Sequence, residues 1–454
     1  MAPGAGRGCR LLQGDAPPLP RTSVEVVSEI VLAIVQSECI IARAEEAMPI
    51  AYIQRSMEPV LKRAAKEFPV VVLTGPRQSG KTTLLKHVFG ARHAYVSLEP
   101  PDVRAAAISD PRGFLDMYPP PAIFDEVQYA PELLPYVKER VDAHRDKAGQ
   151  YLLTGSQNLL LLERVSESLA GRAAILRLLP LSFREITGAP LAPFPWEPGP
   201  AHSKRPVLST KDLWENFLRG CYPEPVANPR RDIALWHAGY AQTYLERDVR
   251  SLRQIGDLTQ FQNFLRALAA RNAQLLNLTD LSRELGIAVN TVKAWLSVLE
   301  ATFQIILLRP YFGNVGKRLV KTPKVYFTDT GTLCHLAGLR TADQAASGLM
   351  GGAILETAVV TEIFKGYWNR GQEPQVYFWR TAAGAEVDVV VQAEGSLIPI
   401  EVKLSATPNL SMARGIESFR RDFRKRAAKG YVIHAGDVRL PLSPDATALP
   451  FADF

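Results

Sequence analysis

The stretch that decides the fold is Phe68–Leu85, FPVVVLTGPRQSGKTTLL. Val70, Val71, Val72 and Leu73 form a short apolar run, the pattern of a buried parallel strand. Gly75-Pro76-Arg77-Gln78-Ser79-Gly80-Lys81-Thr82 then matches G-x-x-x-x-G-K-[ST] in full, and Thr83, Leu84, Leu85 and Val88 open a helix. Strand, glycine loop and helix in that order are the context of a phosphate-binding loop. Gly75 and Gly80 let the backbone turn tightly enough for successive N–H groups to point at phosphates. The helix N-terminus behind them adds a positive dipole. The loop from Gly75 to Thr82, with Thr83 behind it, is therefore the candidate ATP cradle. Lys81 is the residue to reach the β- and γ-phosphates, and Thr82 the one to hold Mg²⁺.

Outward from the loop, 59–66 reads as a short amphipathic helix and 93–98 as a second strand. Residues 104–107 and 111–117 suggest helical turns. Ala122-Ile123-Phe124-Asp125-Glu126 is a short apolar strand that ends in two carboxylates, a Walker-B pattern. Asp125 stands at the carboxyl end of its strand, where a parallel sheet places its ligand, and is a candidate Mg²⁺ partner with Thr82. Glu126 is the candidate to polarise the attacking water. Tyr151-Leu152-Leu153-Thr154-Gly155 is another buried strand, followed by Ser156, Gln157 and Asn158. A resemblance to the AAA+ plan implies a γ-phosphate sensor at this position; Ser156, Gln157 and Asn158 are all candidates, and the sequence does not choose between them. Arg172, after a helical stretch, reads either as an arginine finger or phosphate sensor or as a surface arginine.

The chain has 454 residues, 47% apolar and 22% charged, which suits two or three ordinary globular domains. No apolar run approaches the roughly eighteen residues that span a bilayer, so a membrane partner is not expected. The net charge of +7 suits an anionic partner such as DNA. Four scattered cysteines make no C-x-x-C pair, so neither zinc nor a disulfide framework is indicated, and a reducing cytoplasm is the default. Residues 1–47 read as a disordered or non-functional extension, with one helix-like stretch at 28–47 and Met48 as a sensible alternative start.

An ATPase core is expected over 48–190, a proline-dense linker over 191–209, and a helical lid with a winged helix over 210–340. Thr279 and Asn290 are candidate caps of a helix–turn–helix, with Gly286 at its turn. Residues 303–308 and 324–327 read as wing strands. Lys317, Arg318, Lys321 and Lys324 lie in a 309–328 segment that holds no acid, an arrangement for DNA. The same fold also serves as a lid or protein contact. A last domain is expected over 347–454. There Ile398, Ile400, Val402 and Leu404 alternate with Glu401 and Lys403, so the two charged groups share a strand face. With Asp388 on the preceding strand and Glu356 on a helix, they form a PD-(D/E)XK nuclease constellation. Asp388, Glu401 and Glu356 are candidate ligands of a second Mg²⁺ or Mn²⁺, and Lys403 is the candidate to activate water.

By these residues the chain resembles the prokaryotic AAA-type ATP-binding proteins that carry a C-terminal domain of unknown function. The matching stretches are FPVVVLTGPRQSGKTTL, AIFDEVQ, LLTGSQN, SLAGR, YLERDV, KTPKVYFTDTG and FWRTAAGAEVDVVV…IPIEVK. The resemblance implies an α/β fold. A P-loop AAA+ parallel-sheet core would come first, then a helical and winged-helix middle, then an α/β restriction-endonuclease-like end. It carries ATP binding over to Gly75, Gly80, Lys81, Thr82, Asp125 and Glu126. It leaves open whether the protein is an ATP-driven switch or motor on DNA or an ATP-regulated scaffold. A homo-oligomer and a protein partner are both compatible with it.

Overall fold

Val70–Thr74 (β1) is buried along its whole length, with Val70 and Val72 in one apolar cluster and Val71 and Leu73 in another. Around it the computed structural model, which describes residues 52–156, 165, 167–198, 208–245, 258–312 and 322–454, builds a five-stranded parallel sheet. Its order is β2 (Ala94–Ser97), β3 (Ala122–Asp125), β4 (Tyr151–Gly155), β1, β5 (Ala173–Arg177). The helices α1 (Glu58–Glu67), α2 (Lys81–Phe89), α3 (Pro101–Ser109), α4 (Pro111–Met117) and α5 (Leu133–Ala143) accompany it. Because β4 lies beside β1, the ends of β3 and β4 open next to the glycine loop. Residues 1–51, the candidate sensors Gln157 and Asn158, residues 246–249 of the YLERDV stretch and the wing residues Lys317, Arg318 and Lys321 lie outside the described residues.

After α6 (Phe183–Ile186) comes a helical region: α7 (Thr210–Arg219), α8 (Pro223–Ala227), α9 (Ile233–Tyr240), α10 (Leu258–Ala270), α11 (Leu278–Leu285) and α12 (Val289–Ala301). The helix–turn–helix is formed by α11 and α12, with Gly286 in the left-handed turn. Its caps differ from those expected. Asn277, not Thr279, accepts the first free N–H groups of α11, and α12 begins at Val289 with no side-chain cap from Asn290. Asn277 wins because its short amide already bonds the N–H groups of Thr279 and Asp280.

The two expected wing strands, β6 (Ile305–Pro310) and β7 (Lys324–Phe327), pair antiparallel. They do not stand alone. Arg309 and Pro310 run beside Tyr377 and Phe378, so the hairpin joins a second sheet of order β12-β13-β11-β10-β9-β8-β6-β7. The other strands are β8 (Val376–Arg380), β9 (Glu386–Ala393), β10 (Ser396–Lys403), β11 (Gly430–His434), β12 (Leu440–Ser443) and β13 (Ala446–Pro450). This sheet crosses the boundary drawn at 340–347. The helices α13 (Thr330–Leu336), α14 (Ala342–Ser347) and α15 (Gly351–Trp368) lie between β7 and β8, and α16 (Arg414–Asp422) between β10 and β11. The β9–β10 turn at Glu394 and Gly395 has φ of 48° and 80°, the left-handed pair of a tight hairpin. One apolar core runs from Phe183 and Phe194 through the middle helices to α15, Phe451 and Phe454, so residues 52–454 make one compact unit.

Candidate functional site

The glycine loop leaves β1 at Gly75 because only glycine fits there. A Cβ would stand 2.1 Å from Leu178 O. The loop then turns through Gln78 at φ 59° and Gly80 at φ 89° into α2. Lys81 is buried and donates Nζ–H to Gly75 O at 3.1 Å and Pro76 O at 2.9 Å, so its charge lies within the loop. Thr82 Oγ1 donates to the Asp125 carboxylate, 3.0 and 2.9 Å from its two oxygens. The pair expected to share Mg²⁺ is thereby joined across 43 residues. Hydroxyl and carboxylate are hard oxygen donors, and this donor set fits Mg²⁺. Mg²⁺ bound there would neutralise charge on the phosphates.

Two contacts to Asp125 had no sequence signal: Tyr95 Oη donates to Oδ2 at 2.8 Å, and Thr154 Oγ1 donates to Oδ1. Burial and then the Asp125 hydrogen bond push the Tyr95 phenol up. Glu126 follows in left-handed backbone at φ 57°, its N–H donated to Thr154 Oγ1 at 3.0 Å. Its Oε2 accepts from Ser156 Oγ at 3.0 Å and from Gln128 Nε2. Burial alone would push this carboxyl up. The charge of Lys81, the Gln128 bond, Arg77 and Ser156 outweigh it and hold Glu126 below the usual range. An ionised carboxylate kept beside the phosphate loop is what water activation requires. Of the three sensor candidates, Ser156 is the one the described residues bring to Glu126.

Arg172 is not brought to this site. Its carbonyl accepts from Val70 N–H, at the amino end of the sheet, about 15 Å of strand from the loop. Its guanidinium is paired with Asp142 at 2.7 and 2.9 Å. A role on its own chain's phosphates is ruled out by that position.

In the second sheet β9 and β10 bring Asp388, Glu401 and Lys403 together. Lys403 Nζ lies 2.5 Å from Glu401 Oε2 and 3.7 Å from Asp388 Oδ2, and Asp388 also accepts Val402 N–H at 2.8 Å. Gly415 admits this packing, since a Cβ there would meet Glu401 Oε1 at 1.9 Å. Burial, then repulsion from Asp388, push Glu401 up to about 8. Burial would lower the Lys403 ammonium, but Asp388 and Glu401 raise it.

Glu356 does not join this set as a ligand. It accepts from Lys324 Nζ at 3.2 Å and Tyr326 Oη at 2.5 Å, while Lys324 also pairs with Glu386 at 2.7 Å. Lys324, expected on a DNA-facing wing, is instead 5% exposed, because β7 is an inner lining of the carboxylate cluster. Among the described residues no three His, Cys, Asp or Glu side chains are grouped to hold a metal ion. The second-metal set of Glu356, Asp388 and Glu401 is therefore reduced to Asp388 and Glu401.

The parallel sheet, the phosphate loop and the Thr82–Asp125–Glu126 cluster define an AAA-type P-loop ATPase. Residues 67–187 match the family described as "AAA domain". The chain belongs to the family of two mycobacterial proteins, "Uncharacterized protein Rv2008c" of Mycobacterium tuberculosis and "Uncharacterized protein Mb2031c" of Mycobacterium bovis. It is 33% identical to each over 395 residues, 86% of this chain and 82% of theirs. Residues 210–343 and 351–454 match two families described as domains of unknown function, DUF8612 and DUF4143. Among solved structures, the chain is similar to "The walker-type atpase paby2304 of pyrococcus abyssi". Identity is 16%, 63% of this chain and 96% of that chain are covered, and the TM-score is 0.43. It is also similar to Thermotoga maritima RuvB, at 17% identity, 55% and 86% coverage and a TM-score of 0.23. Among the described residues no helix is long and apolar enough to cross a membrane.

Proposed function

We propose that this protein is an ATP-driven switch that acts on DNA through its C-terminal domain. The observation that carries this reading is Lys403 lodged between Asp388 and Glu401 at the end of β10. Two hard oxygen ligands beside one ammonium suit a phosphodiester: Asp388 and Glu401 would hold Mg²⁺ or Mn²⁺, and Lys403 would orient water. ATP sits on Gly75–Thr83, with Asp125 and Thr82 toward Mg²⁺ and Glu126 toward water. The acid-free 309–328 segment supplies Lys317, Arg318 and Lys321 for DNA phosphates.

The test is ATPase and nuclease assay of one full-length preparation, with and without DNA and divalent ion, beside the charge-reversed Lys317/Arg318/Lys321 variant. DNA-stimulated ATP turnover, and DNA affinity that falls in the variant with a flatter salt dependence, support the reading. The absence of DNA binding at low salt sinks it. The second reading, an ATP-regulated protein scaffold, is favoured by one observation: Glu356 is occupied by Lys324 and Tyr326. Under it, no divalent ion binds to the 351–454 portion of the intact protein.

A further inference from the structure

We infer that Arg55 is a positioning residue for ATP and that the C-terminal helix α15 helps to hold it. Arg55 precedes α1, and its side chain is 4% exposed. Nη1 donates to Ser79 O at 2.8 Å, Nη2 to Leu179 O at 2.7 Å, and Nε to Glu185 Oε1 at 3.2 Å. Ser79 O belongs to the same peptide as the N–H of Gly80. In a trans peptide the two point in opposite directions. A carbonyl pinned on the outer side by a cation therefore turns the Gly80 N–H to the inner side, where phosphate oxygens are received. Gly80 is also flanked: a Cβ on it would stand 3.5 Å from Arg55 Nη1. The guanidinium thus lies against the phosphate loop as a back wall.

Glu185 holds Arg55 and is itself fully enclosed. It accepts from Ser56 N–H at 2.6 Å, from Ser182 N–H at 2.7 Å and from Asn369 Nδ2 at 3.4 Å. Asn369 ends α15. The same helix donates Lys365 Nζ–H to Leu181 O at 2.9 Å and accepts Phe183 N–H on Glu362 at 2.7 Å. The 178–185 segment is thus bonded to the phosphate loop through Arg55 on one side and to α15 on the other. That helix also carries Glu356, beside Lys324 and the carboxylate cluster. A helix that steadies the ATP-receiving loop is, by linkage, biased in turn by ATP.

The inference rests on the ATP reading of the phosphate loop, and Lys81→Ala tests that reading separately through loss of ATP binding. Arg55 is then read in the full chain from ATP affinity and from the division between KM and kcat. Arg55→Ala is expected to raise Kd and KM for ATP by about tenfold or more, the effect of losing a charge-assisted bond, with kcat at saturation within about twofold. Arg55→Lys, which keeps one donor for Ser79 O, recovers part of the affinity. Asn369→Ala touches neither the loop nor ATP and raises KM in the same direction by about two- to threefold. It also keeps the idea testable if Arg55→Ala does not fold. A lower melting temperature with unchanged ATP affinity, in Arg55→Ala or in Asn369→Ala, would overturn the inference. Arg55 would then be a buried ion-pair member and nothing more.

Discussion

Gln78 and Glu126, two non-glycine residues in left-handed backbone, both stand at the ATP site. Such positions cost on the order of 1–3 kcal/mol and persist where surrounding bonds hold them. For Glu126 the holders are Thr154 and Ser156, and the result is a carboxylate aimed beside Lys81. Lys81→Ala should weaken ATP binding and abolish turnover, because the phosphates lose their buried cation. Glu126→Gln should keep ATP binding within about threefold and lower kcat by about a hundredfold or more, the range of a lost general base. Isothermal titration with ATP beside steady-state turnover checks both, and an unchanged kcat for Glu126→Gln removes it from catalysis. At the second site, Asp388→Asn should remove divalent-ion binding and any DNA cleavage together. Lys403→Ala should spare the ion and remove cleavage alone. Calorimetry with Mn²⁺ and a plasmid-nicking assay separate the two. Lys81, Thr82, Asp125 and Glu126 were legible because strand, loop and helix announce them locally. Arg55, Tyr95 and Thr154 were not, since their partners lie 24, 30 and 29 residues away.

At the scale of elements, β7 is the instructive case. Its four residues, KVYF, read as a wing strand with a basic end. Joined to β6 and so to the second sheet, β7 turns Lys324 inward to Glu356 and Glu386. Burial pulls the Lys324 ammonium down, but Glu356 first and then Asp388 and Glu386 raise it beyond the usual lysine range. Lys324→Met would leave Glu356 without its cation, and the half-buried Glu386 with Arg380 alone at 3.7 Å, at a cost of about 3–5 kcal/mol. Urea unfolding measures this, and Glu356→Gln in the same background should restore part of it. A loss below about 0.5 kcal/mol would mean that the pair behaves as a solvated surface bridge. The helices α11 and α12 were recognisable from apolar spacing and Gly286 alone, but their caps were not. Whether Asn277 or Thr279 caps depends on where the chain enters the helix, which contiguous propensity leaves open within a residue or two.

Across the whole molecule, one apolar core joins α6, the middle helices and the C-terminal sheet, with Phe194 and Phe454 both within it. Near it α9 and α13 set His237 and His335 with ring centroids 6.3 Å apart. Burial first, then His237, Arg340 and Arg266, hold the His335 imidazole down to about 4. His237, enclosed by burial, is also lowered. The unfolded chain takes up protons on such imidazoles near pH 6.5. Between pH 6.5 and about 4 the unfolded state therefore binds more protons than the folded one, and stability falls as pH falls. His335→Gln should flatten this slope without changing the neutral-pH melting temperature by more than a few degrees, as thermal unfolding across pH 4–7 would measure. An unaltered slope would show that His335 takes up its proton as readily in the folded protein as in the unfolded chain.

The sequence alone determined the parallel ATPase sheet, the phosphate loop and its partner acids, and the β9–β10 strand pair with Asp388, Glu401 and Lys403. Each of these depends on backbone conformation set by neighbouring residues: apolar runs, glycines with room to turn, and period-two alternation. Tertiary structure alone decided that β7 is buried on both faces, that Glu356 serves Lys324, that Arg172 pairs with Asp142 at the amino end of the sheet, and that Arg55 backs the phosphate loop. Those contacts join residues that are 32, 30 and 24 positions apart. A charged side chain carries the same sequence signal whether it meets water or a buried partner, and only the packing of the sheets settles which.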